Sequence, residues 1–126
     1  MEQHKGDKKT SFYVIGISHK KADAKLRGEF SLSPTKKATL LDQAKTKGIE
    51  SIVATSTCNR TEVYGFVQHP SELIHLLCEN TTGTVDIFKS VAYTLKGNAA
   101  VEHMFRVGAG LDSQQRFHPT AGVQRG

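Results

Sequence analysis

Four short apolar runs, rich in β-branched and aromatic residues, alternate along the sequence with segments of helical periodicity. The runs predict strands over Phe12–Ile17, Ile49–Thr55, Thr61–Val67 and Val91–Leu95. Ahead of the second run, Ser33 and Pro34 are typical of an N-cap and a first helical position, and Gly48 is typical of the residue after a helix. Pro70 predicts the start of a second helix, which Asn80–Gly83 ends.

The order strand, helix, strand, strand, helix, strand predicts an α+β fold. The specific expectation is a ferredoxin-like split βαβ sandwich (βαββαβ), with helices on one face of an antiparallel sheet. Ser18–Leu32 is predicted to be irregular. A third, C-terminal helix is expected from Asn98, with an exit at Gly108–Ser113 and an apolar stripe made of Val101, Met104, Phe105 and Gly108. His103 falls on the opposite side of that helix, so we expect it outside the core.

The size and composition of the chain predict one cytoplasmic domain. Its 126 residues suit a single core, and no apolar run approaches the roughly 20 residues that span a bilayer, so we expect no membrane partner. Cys58 and Cys78 are predicted to be free thiols in a reducing compartment. The six histidines match no zinc spacing, and no metal site is expected.

Positive charge is concentrated in the first half of the sequence. Residues 1–60 hold twelve Lys or Arg against six Asp or Glu, whereas residues 61–126 hold five against six. Such a distribution is compatible with binding to a polyanion such as nucleic acid. A solvated Lys-rich surface is the alternative interpretation.

Cys58 is the strongest candidate for chemistry because it directly follows a predicted strand. A thiolate is a competent nucleophile, a cation such as Arg60 favours that form, and Asn59 could polarise a carbonyl group. The alternative is a small buried hydrophobic residue, which is the role that helical spacing predicts for Cys78. His19 follows the first strand and is expected near the same sheet edge. His103 is either a surface residue or a proton carrier beside the thiol.

Three segments together resemble the catalytic N-terminal domain of glutamyl-tRNA reductase: Gly16–Lys20, Ser56–Tyr64 and His103–Ser113. The resemblance implies that a cysteine attacks glutamyl-tRNA and holds glutamate as a thioester. Reduction by NADPH then gives glutamate-1-semialdehyde for tetrapyrrole (porphyrin and haem) biosynthesis. The implied catalytic residues are Cys58 and His103, and the implied glutamyl-binding residues are Thr57, Asn59, Arg60 and Ser113, with the planar fork of Arg60 suited to a carboxylate.

The same resemblance implies an organisation larger than this chain. We expect a disordered arm over residues 1–10, the catalytic domain over 11–113, and a non-native or disordered tail over 114–126. No dinucleotide fingerprint or phosphate loop occurs, so NADPH would be bound by a domain absent here and this fragment would not complete the reduction. A homodimeric full-length enzyme is implied, with glutamate-1-semialdehyde aminomutase as a candidate partner. Lys20–Asp23 departs from the family's usual Lys-Thr-Ala-Pro.

Two other functions compete with this interpretation. One is a non-catalytic RNA-binding module of ferredoxin-like fold, and the other is a regulatory domain that binds an amino acid. The RNA-binding pattern of a basic residue, Gly and closely spaced aromatics is missing, since Tyr64 and Phe66 are the only aromatic pair in the third predicted strand.

Overall fold

The computed structural model describes residues 9–116, with side chains through residue 108. This part of the chain falls into two compact units that divide between Lys96 and Gly97. The first unit contains β1 (Ser11–Ser18), α1 (Ala24–Glu29), α2 (Pro34–Thr46), β2 (Ile52–Ser56), β3 (Arg60–Val67), α3 (Ser71–Glu79), α4 (Val85–Val91) and β4 (Tyr93–Lys96). The second contains α5 (Asn98–Arg116).

The four strands form one sheet in the order β2-β3-β1-β4, and every neighbouring pair is antiparallel. The predicted α+β class is therefore confirmed. In the register of the two central strands, Ser18 lies opposite Arg60 and Ser11 lies opposite Val67. Gly16 lies opposite a residue on each side, Glu62 in β3 and Tyr93 in β4.

Alternation along the strands gives the sheet two different faces. Ile15 and Ile17 of β1 and Val63 and Val67 of β3 are buried on the face that packs against the helices. The helices contribute Leu40, Leu73, Leu77 and Phe88 to the same cluster. Burial of each large aliphatic side chain contributes about 1.5–3 kcal/mol. The second face of the sheet carries the alternate residues, which are Phe12, Val14, Gly16 and Ser18 of β1 and Arg60, Glu62, Tyr64 and Phe66 of β3.

The two main helices lie where the sequence predicts them. The Oγ of Ser33 accepts a hydrogen bond from the N–H of Lys36 at 3.2 Å, Pro34 begins α2, and Gly48 has a φ of +84° after the helix ends. Helix α3 follows Pro70. Its buried residues recur at helical spacing and include Leu73, Ile74, Leu76 and Leu77.

Two short helices were not predicted. Helix α1 lies inside the segment predicted to be irregular, and Asp23 caps it by accepting from the N–H of Leu26. Helix α4 precedes β4 and has Thr84 as its cap. Helices this short are marginal by themselves. Tertiary packing stabilises them, since the buried rings of Phe30 and Phe88 meet edge-on with centroids 5.3 Å apart.

The second unit corrects two further predictions. Helix α5 continues to Arg116, so the expected helix exit at Gly108–Ser113 is wrong. A glycine inside a helix costs about 1 kcal/mol, which neighbouring strong helix formers can offset. Phe105 of the predicted apolar stripe is 68% exposed, whereas His103, which was expected on the opposite side of the helix, is half-buried. The expected tail therefore begins inside α5, and residues 1–8 and 117–126 lie outside the described part of the chain.

Candidate active site

A hairpin turn between β2 and β3 brings four predicted site residues together. The N–H of Thr57 donates to the carbonyl of Arg60 at 2.8 Å. The Oγ1 of Thr57 accepts from the N–H groups of Asn59 and Arg60, at 3.2 and 3.3 Å. These bonds satisfy backbone donors that an open turn would leave unpaired. Thr57 therefore shapes the turn that presents Cys58.

Cys58 is exposed and its thiol is free. It is therefore not the buried hydrophobic residue of the alternative interpretation. Its carbonyl oxygen accepts from Nε of Arg27 at 3.2 Å, and Nη1 of the same guanidinium donates to the carbonyl of Ala22 at 2.6 Å. These two bonds hold a permanent positive charge beside the turn. The sequence did not indicate Arg27, because this residue lies on the unpredicted helix α1.

The loop after β1 also reaches this turn. The N–H of His19 donates to the carbonyl of Asn59 at 3.0 Å, which confirms the expectation that His19 lies near the same sheet edge. The ring of His19 is exposed, as expected of a solvated loop histidine.

Arg60 lies beside a fully buried carboxylate. Its Nη1 is 3.5 Å from Oε2 of Glu62, and its side chain is 23% exposed. Glu62 also accepts hydrogen bonds from two phenols, with Tyr64 donating to Oε1 at 2.8 Å and Tyr93 donating to Oε2. A buried charge is tolerated only when paired and hydrogen-bonded in this way. The network therefore restrains Arg60, the residue suited to binding a carboxylate.

Gly16 provides the space for this network. A Cβ atom at Gly16 would lie 2.7 Å from Oη of Tyr93 and 2.8 Å from Cγ of Glu62. In the sequence Glu62 is an ordinary carboxylate within a strand. Only the pairing of β1 with both β3 and β4 shows that it is enclosed.

The two phenols that donate to Glu62 are held in their neutral form. Burial raises the pKa of Tyr64 and of Tyr93 well above the ordinary value, and the hydrogen bond of each phenol to Glu62 raises it further. Both residues therefore remain donors at neutral pH.

Cys78 is in a different environment from Cys58. It is half-buried on α3 and packs against the core, as its spacing predicts. Burial raises the pKa of its thiol, which lowers the thiolate fraction at neutral pH. Cys58 is thus the better placed nucleophile of the two.

His103 and Ser113 both lie on α5, in the second compact unit. The side chain of His103 is half-buried, and that of Ser113 lies outside the described side chains. Their roles in the site stay predictions.

The part of the chain that the structure describes does not suit a dinucleotide. Gly108 and Gly110 lie within α5, whereas a phosphate-binding glycine segment needs a turn from a strand into a helix N-terminus. Over residues 9–116 there is also no group of three or more His, Cys, Asp or Glu that could hold a metal ion. None of the helices described is long and apolar enough to cross a bilayer.

Comparison with known proteins gives one consistent result. Residues 15–115 match the family model for the glutamyl-tRNAGlu reductase N-terminal domain. Glutamyl-tRNA reductase of Flavobacterium psychrophilum is 58% identical over 114 residues, which are 90% of this chain and 28% of that protein. The enzyme of Aliivibrio fischeri is 40% identical over 107 residues, covering 82% of this chain and 26% of its own length.

A solved structure agrees with these sequence matches. Glutamyl-tRNA reductase from Methanopyrus kandleri superposes with a TM-score of 0.58 at 27% identity, over 79% of this chain and 22% of that one. The chain thus spans about a quarter of the length of its relatives. The alternative of a non-catalytic RNA-binding module is not favoured. With a family match over residues 15–115, this chain belongs to the glutamyl-tRNA reductase family and corresponds to its N-terminal domain.

Proposed function

We propose that this chain carries the thioester-forming step of an NADPH-dependent glutamyl-tRNA reductase. The observation that carries the proposal is the exposed thiol of Cys58, on a hairpin turn that also bears Arg60 and is bonded to Arg27. Family membership supports the substrate, because relatives that share 58% and 40% of the aligned residues are named for it.

The chemistry of this step is an acyl transfer. The thiolate of Cys58 attacks the carbonyl carbon of the ester that joins glutamate to the terminal ribose of the tRNA. The new C–S bond forms as the C–O bond breaks, and the ribose oxygen takes up a proton as the tRNA leaves. The product is a glutamyl thioester on Cys58. The carbonyl carbon of the thioester remains electrophilic, so it can accept a hydride in a later step.

The residues around Cys58 are proposed to bind the glutamyl group. Arg60 pairs with its side-chain carboxylate through the planar guanidinium fork, and the Glu62 network restrains that fork. The same turn holds Thr57 and Asn59 together, and we assign both to contacts with the reacting end of the glutamyl group. We also assign Ser113 to substrate binding and His103 to catalysis, in line with the resemblance of their segment to the family.

The reduction itself is assigned to a part of the enzyme outside this chain. In the whole enzyme, NADPH bound outside this chain would supply the hydride that gives glutamate-1-semialdehyde for tetrapyrrole biosynthesis, with the thiolate of Cys58 as the leaving group. Because the described residues do not fit a dinucleotide, the chemistry of this chain ends at the thioester. We expect the whole enzyme to be a homodimer, with glutamate-1-semialdehyde aminomutase as a candidate partner.

The finer organisation is also part of this proposal. We assign residues 11–113 to the catalytic domain and describe it as ferredoxin-like. The strand order β2-β3-β1-β4, with helices following β1 and β3, supports this. Two free thiols are in keeping with a reducing cytoplasm.

Mass spectrometry of the intact protein tests the acyl transfer. After incubation with glutamyl-tRNA, the chain is expected to gain the mass of one glutamyl group, and Cys58→Ser is expected to gain none. Cys78→Ser is the matched control and should be acylated like the unaltered chain. Equal adduct on Cys58→Ser and the unaltered chain would refute the proposal.

A further inference from the structure

The hairpin turn that carries Cys58 is also bonded from outside, by the segment between β1 and α2. The bonds within the turn join Thr57 to residues 59 and 60 and fix its shape. The carbonyl oxygen of Cys58 instead accepts from Nε of Arg27 at 3.2 Å. The carbonyl oxygen of Asn59 accepts from the N–H of His19 at 3.0 Å. These external bonds orient the turn relative to the segment that follows β1.

Arg27 reaches the turn from a fixed position on α1. Its N–H donates to the carbonyl of Asp23 at 2.9 Å, and its carbonyl accepts from the N–H of Phe30 at 3.0 Å. Phe30 is fully buried and its ring meets that of Phe88 in the core. Packing of the core therefore fixes the backbone from which the Arg27 side chain extends.

The guanidinium group of Arg27 is itself held at two points. Nε donates to the carbonyl of Cys58, and Nη1 donates to the carbonyl of Ala22 at 2.6 Å. Ala22 is buried and belongs to the core cluster. Because the guanidinium is planar and its donors point in fixed directions, the bond at one nitrogen restrains the bond at the other. Arg27 thus ties the backbone of Cys58 to the core.

Acyl transfer to Cys58 requires accurate placement of its sulfur atom. The reacting atoms must approach to about 3–3.5 Å with their orbitals aligned, and a misplacement of about 1 Å can cost roughly a hundredfold in rate. Cys58 is exposed, so packing by neighbouring side chains does little to fix its position. A bond to the carbonyl group of the same residue restrains the backbone that carries the sulfur.

We propose that Arg27 is a positioning residue for Cys58, which holds this nucleophile in the orientation that acyl transfer needs. The inference rests on the proposed function and adds to it a residue outside the three segments that resemble the family. Arg27 acts through the backbone of the turn, whereas Arg60 is proposed to contact the glutamyl carboxylate itself. Loss of Arg27 should therefore slow acylation and leave binding of the glutamyl group intact.

Acylation kinetics with two substrates test this role. For Arg27→Ala, the maximal rate of Cys58 acylation by glutamyl-tRNA is expected to fall about ten- to a hundredfold, with a half-saturating concentration within about twofold of that for the unaltered chain. A glutamyl ester of adenosine carries the same reacting bond without the rest of the tRNA, and its reaction is expected to slow by the same factor. A loss confined to glutamyl-tRNA would overturn the proposal, because it would assign Arg27 to a contact with RNA.

Matched variants separate the bond from the charge. Lys25→Ala removes a positive charge from an exposed position on the same helix, and it is expected to keep the rates of the unaltered chain. Arg27→Lys keeps the charge but replaces the planar fork by an ammonium group on a flexible stem, so it is expected to be as slow as Arg27→Ala. Full recovery of the rate in Arg27→Lys would contradict the proposal, because the charge alone would then be sufficient.

NMR relaxation measures the restraint on the turn directly, without substrate. In Arg27→Ala, the order parameters of the backbone amides of residues 58 and 59 are expected to fall from about 0.85, typical of a rigid backbone, to below about 0.6. Those of the four strands are expected to stay as they are, which shows that the variant keeps its fold. An equally rigid turn in Arg27→Ala and the unaltered chain would rule the proposal out.

Alkylation by iodoacetamide separates the position of the thiol from its reactivity. A small reagent reaches an exposed thiol in any orientation of the turn, so Cys58 is expected to react equally fast in Arg27→Ala and in the unaltered chain. If alkylation slowed as much as acylation, Arg27 would act on the reactivity of the thiol, and the positioning role would be refuted.

The outcomes separate this inference from the proposed function. If neither substrate acylates Cys58 in the unaltered chain, the proposed function fails, and the positioning role fails with it. If both substrates acylate Cys58 and Arg27→Ala reacts as fast as the unaltered chain, only the positioning role fails.

Discussion

The hydroxyl group of Tyr93 donates a hydrogen bond to the carboxylate of Glu62, although their strands are not neighbours in the sheet. Strand β1 lies between them, and Gly16 of β1 is opposite both residues. Tyr64 donates to the other carboxylate oxygen, and Arg60 lies 3.5 Å from the oxygen that Tyr93 contacts. Residues of β3 and β4, meeting over a glycine of β1, therefore orient the guanidinium that is proposed to bind glutamate.

Replacing the glycine beneath this network is expected to destabilise the domain. The Cβ of Gly16→Ala would lie within 2.8 Å of both Tyr93 and Glu62, and overpacking of this kind costs about 1–3 kcal/mol. Urea unfolding followed by circular dichroism measures the loss. Gly28→Ala is the matched control, because nothing lies within 4 Å of the added atom and its φ is ordinary, so it should cost nothing. Equal unfolding midpoints for the two variants would contradict the enclosed position of Gly16.

Neutralising the buried carboxylate is expected to weaken both stability and substrate binding. Glu62→Gln removes the charge that faces Arg60 and one acceptor of the two phenols, at a cost of about 1–3 kcal/mol. Because the guanidinium of Arg60 then loses the charge that orients it, the concentration of glutamyl-tRNA needed for half-maximal acylation should also rise. Urea unfolding and intact-mass kinetics measure the two effects. Glu50→Gln is the control because it alters an exposed carboxylate, and it should change neither the unfolding midpoint nor the acylation kinetics. If Glu62→Gln also left both quantities unchanged, Arg60 would be oriented by other contacts.

The domain is expected to lose stability in alkaline solution. The pKa values of Tyr64 and Tyr93 are raised in the folded state, so that state holds their protons more tightly than the unfolded chain does. Their contribution is complete below the unfolded value of about 10 and decreases as the pH rises above it. Urea midpoints across this range should fall with pH. Tyr93→Phe should make that fall shallower, whereas Tyr13→Phe, outside the network, should leave it as it is.

The two thiols are expected to differ in their reaction with iodoacetamide. Cys58 is exposed, whereas Cys78 is half-buried and burial raises the pKa of its thiol. Alkylation requires an accessible thiolate, so Cys58 should react about tenfold faster or more at neutral pH. Peptide mass spectrometry of samples taken at successive times gives the alkylation rate of each thiol. The variants Cys58→Ser and Cys78→Ser, which each keep one thiol, show which rate belongs to which cysteine. Faster labelling of Cys78 would place the reactive thiol elsewhere than the hairpin turn.

Local signals predict those parts of the fold that local interactions stabilise. Ser33, Pro34 and Gly48 delimit α2 because a cap, a fixed φ and a left-handed residue each act within a few residues of the chain. The helices α1 and α4 also have capping residues, but they are too short to be stable by themselves. They depend on contacts such as that between Phe30 and Phe88, which are far apart in sequence.

The features of the candidate site likewise divide into those set by local sequence and those set by contacts between separate elements. The sequence by itself determined that the candidate site residues Thr57–Arg60 lie together, because a turn between two strands is a local structure whose residues stay together in any arrangement of the sheet. Only the tertiary structure decided that Arg27 bonds to the turn, that Glu62 is buried between two phenols, and that Phe12 lies beside Phe66. Each of these relationships joins separate elements. Strand order and register set them, and these depend on packing of the whole core.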